Sequence, residues 1–168
     1  MQRRSLFKLG LASAAVLLVA GGATTLLRPG LERGALTPAG REVFAAVGFA
    51  VLDKTLPAPG PQLDVAVAGL LGRIDVLIST LPQHVQNELS QLLSLLASTP
   101  GRLALSGLAQ PWTQATVTEV QAALDDMRFS TLALRQQAYS ALHEITAAAY
   151  FSDPSSWSLL GYPGPIKI

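Results

Sequence analysis

Apolar residues recur at three- and four-residue intervals along most of this chain, the spacing that places them on one face of an α-helix. Thr37-Pro38 opens the first such stretch, with Thr as N-cap and Pro at the first helical position. Val43, Phe44, Val47, Val51 and Leu52 follow on one face, and the helix ends near Leu56 because Pro57-Ala58-Pro59-Gly60-Pro61 cannot continue it. A second helix is predicted from about Asp64 to Thr80, with Val67, Leu70, Leu71, Ile74, Leu77, Ile78 and Leu81 as a wide apolar stripe and Arg73 and Asp75 off it. Pro82 restarts the chain as a third helix, carrying Val85, Leu89, Leu92, Leu93 and Leu96 until Pro100-Gly101 stops it. The short joint between these two helices predicts an antiparallel helical hairpin.

Gly101 to Ala115 reads as one or two helical turns and a loop. Thr116-Val117-Thr118-Glu119 is a capping box, in which the Thr hydroxyl and the Glu carboxylate satisfy each other's orphan backbone donors. It starts a helix to about Phe129. A last long helix runs from about Thr131 to Tyr150, with Leu132, Arg135, Tyr139, Leu142, Ile145 and Ala149 at helical spacing. No stretch shows sustained apolar–polar alternation of the strand kind, so the predicted class is all-α, a compact domain of five to six helices over residues 37–168.

The two ends differ in kind. Arg3-Arg4-Ser5-Leu6-Phe7-Lys8 precedes an uncharged run from Leu9 to Leu27. Paired arginines, then an apolar pair and a lysine, form the pattern of a twin-arginine export signal, with Arg3, Arg4, Phe7 and Lys8 as its readable residues. Gly10, Ser13, Gly21, Gly22, Thr24 and Thr25 dilute the apolar run, which favours this pattern over the alternative reading of the same residues as an ordinary secretory signal or a plain anchor. Gly21-Gly22-Ala23 offers a cleavage site, yet residues 9–27 as a helix span about 28 Å, close to a bilayer core, so removal and retention as an anchor both fit. Residues 28–36 read as a linker.

At the other end, Tyr150, Phe151, Trp157 and Tyr162 place four of the chain's ten aromatics in one short segment, so this tail stands apart from the rest. Asp153 caps a short turn started by Pro154 and stopped by Gly161, after which Tyr162-Pro163-Gly164-Pro165 runs extended. Such a tail either folds back on its own core or docks on another protein, since Tyr and Trp serve in both roles. The docking candidates are Tyr150, Phe151, Trp157, Tyr162, Pro163 and Pro165.

Charge changes the picture at one point. Three of the twelve Lys and Arg lie in the leader, which holds no acid, leaving nine bases against eleven acids and a net charge near −2 in the body. That balance gives no support to nucleic-acid binding, which needs clustered positive charge. Charged residues are 14% of the chain, the low density expected of a surface partly covered by a partner or of a small Ala- and Leu-rich domain. Cysteine is absent, which removes disulfides, Cys-anchored haem and cysteine-ligated clusters.

No catalytic or metal-binding constellation is predicted. His84 lies among Gln83 and Gln86, facing water, and His143-Glu144 are neighbours about 100° apart on a helix, not the i, i+4 pair of a metal site. Ser106-Gly107 lacks the frame of a nucleophile elbow. Gly69 and Gly72 lie within a helix, so no glycine loop follows a strand to hold a dinucleotide. Asp125-Asp126 read as a solvated face.

The twin-arginine leader, the first helix ending Val51-Leu52-Asp53-Lys54-Thr55-Leu56-Pro57, and the tail from Tyr150-Phe151-Ser152-Asp153-Pro154 through Trp157 to Gly161-Tyr162-Pro163-Gly164-Pro165 resemble the gluconate 2-dehydrogenase subunit 3 family. These are the small gamma subunits of membrane-bound FAD dehydrogenases. The resemblance covers the whole layout, and its specific part is the tail; the chain departs in being short and in its long uncharged leader. It implies a non-catalytic subunit, binding no cofactor itself, that carries a folded flavoprotein of the glucose–methanol–choline class through the twin-arginine translocase to the bacterial periplasm. Electrons then pass from the partner's FAD to a cytochrome c subunit or another acceptor. The competing expectation is a free-standing helical envelope protein anchored by residues 9–27.

Overall fold

The structure, a computed structural model, describes residues 28–164. Six α-helices build it: α1 Pro38–Val51, α2 Pro61–Ser79, α3 Gln83–Ala97, α4 Thr99–Ser106, α5 Val117–Arg128 and α6 Ala133–Phe151. A 3-10 helix, Pro154–Leu160, follows α6. Two-residue strands β1 (Leu31–Glu32) and β2 (Ala35–Leu36) precede α1 as an antiparallel hairpin, with Leu31 opposite Leu36 and Glu32 opposite Ala35. The all-α class therefore holds. Among the described residues no helix is long and apolar enough to cross a membrane.

Helix α1 occupies the centre, because α2, α3, α5 and α6 all pack on it. Val43, Phe44 and Val47 are inaccessible to solvent, and they meet Leu70, Ile74 and Ile78 of α2, Leu89, Leu93 and Leu96 of α3, and Val120, Leu124 and Met127 of α5 in one continuous core. Thr37 caps α1 by accepting from the Gly40 amide at 3.4 Å. The capping box forms as its sequence demands: Glu119 accepts from the Thr116 amide at 2.8 Å, and the Thr116 hydroxyl accepts from the Glu119 amide at 3.3 Å. Hydrogen bonding from the Thr116 backbone and then its side chain holds the Glu119 carboxyl below its ordinary pKa.

Several boundaries differ from those that periodicity predicts. Pro61 begins α2 rather than interrupting the chain, because a first-turn proline has no helical hydrogen bond to lose. Ser98 ends α3 and caps α4, accepting from the Gly101 amide at 3.2 Å, so Pro100 sits in the first turn of a new helix. Gly107, in the left-handed region at φ 73°, ends α4. Leu132 falls before α6 with extended backbone, which takes it off the apolar stripe and leaves it 61% exposed.

The larger correction concerns residues 28–36. They are not a linker; the hairpin they form is wedged between α2 and α3. Gly30 N donates to Ser90 O (3.3 Å) and Leu31 N to Ser90 Oγ (3.1 Å) on α3. Across the wedge, Leu36 N donates to Asp75 Oδ1 of α2 at 2.7 Å, and Arg41 pairs with the same carboxylate. Leu31 and Leu36 are buried in the core. The predicted α2–α3 hairpin therefore does not close: β1 lies on α3, β2 lies on α2, and the two helices scarcely touch each other.

Gly30 makes the wedge fit. A Cβ there would overlap the Cβ of Leu93 and come within 2.8 Å of Ser90 O, so only glycine lets the backbone lie this close to α3. Arg33 and Gly34, at φ 53° and 79°, form the two-residue turn that matches the twist of an antiparallel pair.

Candidate functional site

Helix α6 ends at Phe151 and delivers the aromatic tail to one end of the molecule. Asp153 then caps the 3-10 helix by accepting from the Ser155 amide at 2.9 Å, with Pro154 in its first turn and Gly161, at φ 65°, closing it. Arg73 of α2 fastens this joint to the body. Its Nε donates to Ala149 O at 2.9 Å, and Nη1 pairs with Asp153 Oδ2 at 3.0 Å. Backbone and side-chain bonding from Ser155, with the Arg73 charge as a smaller contribution, holds the Asp153 carboxyl below its ordinary range.

Beyond the joint the aromatics pack mainly on each other. Trp157 donates its indole N–H to Phe151 O at 2.8 Å, and its ring meets Tyr162 edge-on at 5.4 Å. The Tyr162 amide returns to Trp157 O at 3.0 Å. Tyr150 and Phe151 form a second edge-on pair at 5.2 Å. The tail thus splits between the two roles the sequence leaves open. Tyr150 packs at the margin of the core, while Phe151 and Tyr162 are 40% and 48% exposed, Trp157 is half-buried, and Pro163 lies in solvent. Five of the six docking candidates come together here; Pro165 lies outside the described residues. The signal residues Arg3, Arg4, Phe7 and Lys8, and the run from Leu9 to Leu27, also lie outside them.

The polar residues weighed for chemistry have structural partners or face water. His84 is exposed on α3. His143 stacks on Tyr139 at 5.4 Å. Ser106 is buried, donating to Arg102 O at 2.8 Å and accepting from the Leu108 amide at 3.3 Å. Asp125 and Asp126 are both exposed, and Asp126 holds Arg135 at 2.6 Å. Among the described residues no three His, Asp or Glu side chains converge as metal ligands.

No protein-family model, curated protein or solved structure matches this chain. The site is therefore characterised by its own geometry: an aromatic surface fixed at its base by an ion pair and a helix cap, and open on its outer side.

Three features escape the sequence reading. Arg102 is buried without an acid, its guanidinium donating to Leu108 O (3.2 Å) and Ala109 O (3.3 Å), which ties α4 to the following loop. An open groove of about 470 Å³ lies between the hairpin and α3, lined by Arg33, Gln83, Gln86, Asn87 and Ser90 among others. Finding it requires knowing that residues 31–36 are a hairpin. Arg128, Phe129 and Tyr139 form a surface cluster across the α5–α6 turn. Its one local signal is the i, i+4 spacing of Tyr139 and His143.

Proposed function

We propose that this chain is a non-catalytic small subunit that escorts, exports and stabilises a folded FAD-dependent dehydrogenase of the glucose–methanol–choline type, docking it through the aromatic tail. The observation that carries the reading is the tail's construction. Phe151, Trp157 and Tyr162 stand largely outside the core, yet the Arg73–Asp153 pair and the Trp157–Phe151 hydrogen bond hold them in one arrangement. Aromatic side chains ordered before binding lose little freedom when a partner covers them. The paired arginines of the leader and the low charge of the chain support the same reading. Periplasmic export by the twin-arginine route, FAD bound in the partner, and a cytochrome c or other acceptor belong to this proposal.

The decisive experiment co-expresses the flavoprotein with an Arg3→Lys, Arg4→Lys double variant, and the expected result is retention of both proteins in the cytoplasm. Normal export of the flavoprotein overturns the escort role. Trp157→Ala and Tyr162→Ala are expected to lower co-purification of the flavoprotein about tenfold while the subunit stays folded, as hot-spot truncations do. Unchanged co-purification removes the tail from the interface.

A second reading, a free-standing helical envelope protein, draws on residues 9–27, whose uncharged length matches a bilayer core. The full chain, tagged at its C-terminus and extracted in mild detergent, separates the two. A flavin spectrum in the eluate favours the escort; a membrane-bound chain without flavin favours the anchor.

A further inference from the structure

At the end of α6 opposite the tail, the α5–α6 turn leaves two large apolar side chains in solvent, Phe129 at 74% and Leu132 at 61% exposure. Arg128, the last residue of α5, lays its guanidinium over the Phe129 ring at 5.1 Å and over the Tyr139 ring at 5.9 Å. Tyr139 stacks in turn on His143, one turn further along α6. Phe129, Arg128, Tyr139 and His143 make one cation–aromatic row. The length of α6, about 28 Å at the helical rise, separates the start of this row from the tail.

The pairing of the neighbouring charges sets Arg128 apart. Arg135 is occupied twice, by Asp126 at 2.6 Å and by Leu105 O at 2.7 Å. Asp125 lies three residues before Arg128, in register for an intrahelical ion pair, yet the guanidinium lies over the rings instead. Among the described residues Arg128 has neither an ion-pair partner nor a hydrogen-bond acceptor. A cation suits the last turn of α5, which accounts for its charge but not for an exposed Phe beside it. Near two rings and without an acceptor among the described residues, the guanidinium has its N–H donors available for a carboxylate, which it binds as a rigid two-pronged fork.

We infer that Arg128, Phe129, Leu132 and Tyr139 form a second docking surface, separate from the tail, for an acidic and apolar segment of a protein partner. One carboxylate of that segment takes the free edge of Arg128, and aliphatic side chains next to it cover Phe129 and Leu132. Charge complementarity selects the acid. Asp125, one turn before Arg128, and Glu144, beside His143, are exposed carboxylates, so a segment with a single acid fits better than a polyacidic run. The inference stands whether or not the partner is a flavoprotein.

The test titrates the isotope-labelled full chain with three synthetic helical peptides that carry leucines on one face and differ at one central position, Glu, Gln or Lys. The expected result is that the Glu peptide shifts the NMR signals of Arg128 Nε–H, Phe129 and Leu132, and binds about tenfold more tightly than the Gln peptide, the scale of one charge-assisted bidentate contact. Arg128→Gln is expected to abolish that preference, and Arg128→Lys to restore only part of it, because an ammonium lacks the planar fork. Both substitutions are at the surface, and an unchanged melting temperature confirms that the fold is intact. Equal binding of all three peptides, shifts centred on Trp157 and Tyr162, no shifts at all, or shifts of the row that appear on concentrating the chain alone would each overturn the inference, the last by assigning the surface to a second copy.

Discussion

The hairpin at residues 28–36 and the tail at residues 152–164 attach to the same helical body in opposite ways. The hairpin contains no aromatic residue, yet Gly30, Leu31 and Leu36 are buried and its backbone is bonded to both flanking helices. The tail carries Trp157 and Tyr162, yet it lies against the end of α6, tied to α2 through the Arg73–Asp153 pair, and keeps much of its aromatic surface in water. Enclosure decides the difference. A segment inserted between two helices is covered from two sides, and small residues let it come close; a segment laid on one helix end is covered from one side, whatever its side chains. Apolar content supplies the driving force for burial, but the number of surrounding elements sets how much is realised.

The substitution with the largest expected effect breaks the hairpin side of this contrast. Gly30→Ala is expected to cost about 3 kcal/mol, the upper part of the range for overpacking, because its Cβ meets Leu93 and Ser90 with no room to yield. Urea unfolding measures it; a loss below about 0.5 kcal/mol, the size of a neutral surface change, would mean that the wedge is loosely held. Asp75→Ala is next, at about 2 kcal/mol, since it strips a charged acceptor from the Leu36 amide and leaves Arg41 without its partner. On the other side, Trp157→Ala is expected to cost only about 1 kcal/mol, well below the truncation of a core aromatic, because its indole is half-buried outside the core. A loss as large as that of Gly30→Ala would make the tail a structural element and remove the contrast.

The smallest effect concerns pH. Because the Asp153 carboxyl is held below its ordinary value, its contribution is fully present above the carboxylate range of the unfolded chain and is lost as pH falls through the lower, folded value. The indole N–H signal of Trp157 is therefore expected to shift on acidification before that of Trp112, whose N–H bonds Leu96 O at 2.7 Å inside the core. Asp153→Asn is expected to remove this early acid step. Simultaneous movement of both signals would show that tail and core loosen as one unit.

What the sequence makes legible here is local. Thr37, the Thr116–Glu119 box and the Asp153-to-Gly161 turn are readable because cap and partner lie within a few residues of each other. The hairpin is not, because strands of two residues are too short to show alternation, and its turn is Arg33-Gly34 rather than the usual Asn-Gly. Its partners, Asp75 and Ser90, are 39 and 59 residues away in sequence. The Arg128 row is hidden for a related reason: two helices contribute to it, and their angle is set by the core beneath. For the tail, the aromatic cluster and the caps are legible, but how far each ring is covered is not.

By itself the sequence determined the all-α class, the caps at Thr37, Thr116–Glu119 and Asp153, and the aromatic character of the tail, since spacing and local hydrogen bonding are properties of neighbouring residues. Only the tertiary structure decided that residues 28–36 separate α2 from α3, that Arg73 holds the tail at its base, and that Phe129 and Leu132 stay in solvent. Those outcomes depend on which distant elements come together, and burial is a property of the assembled elements rather than of any one segment.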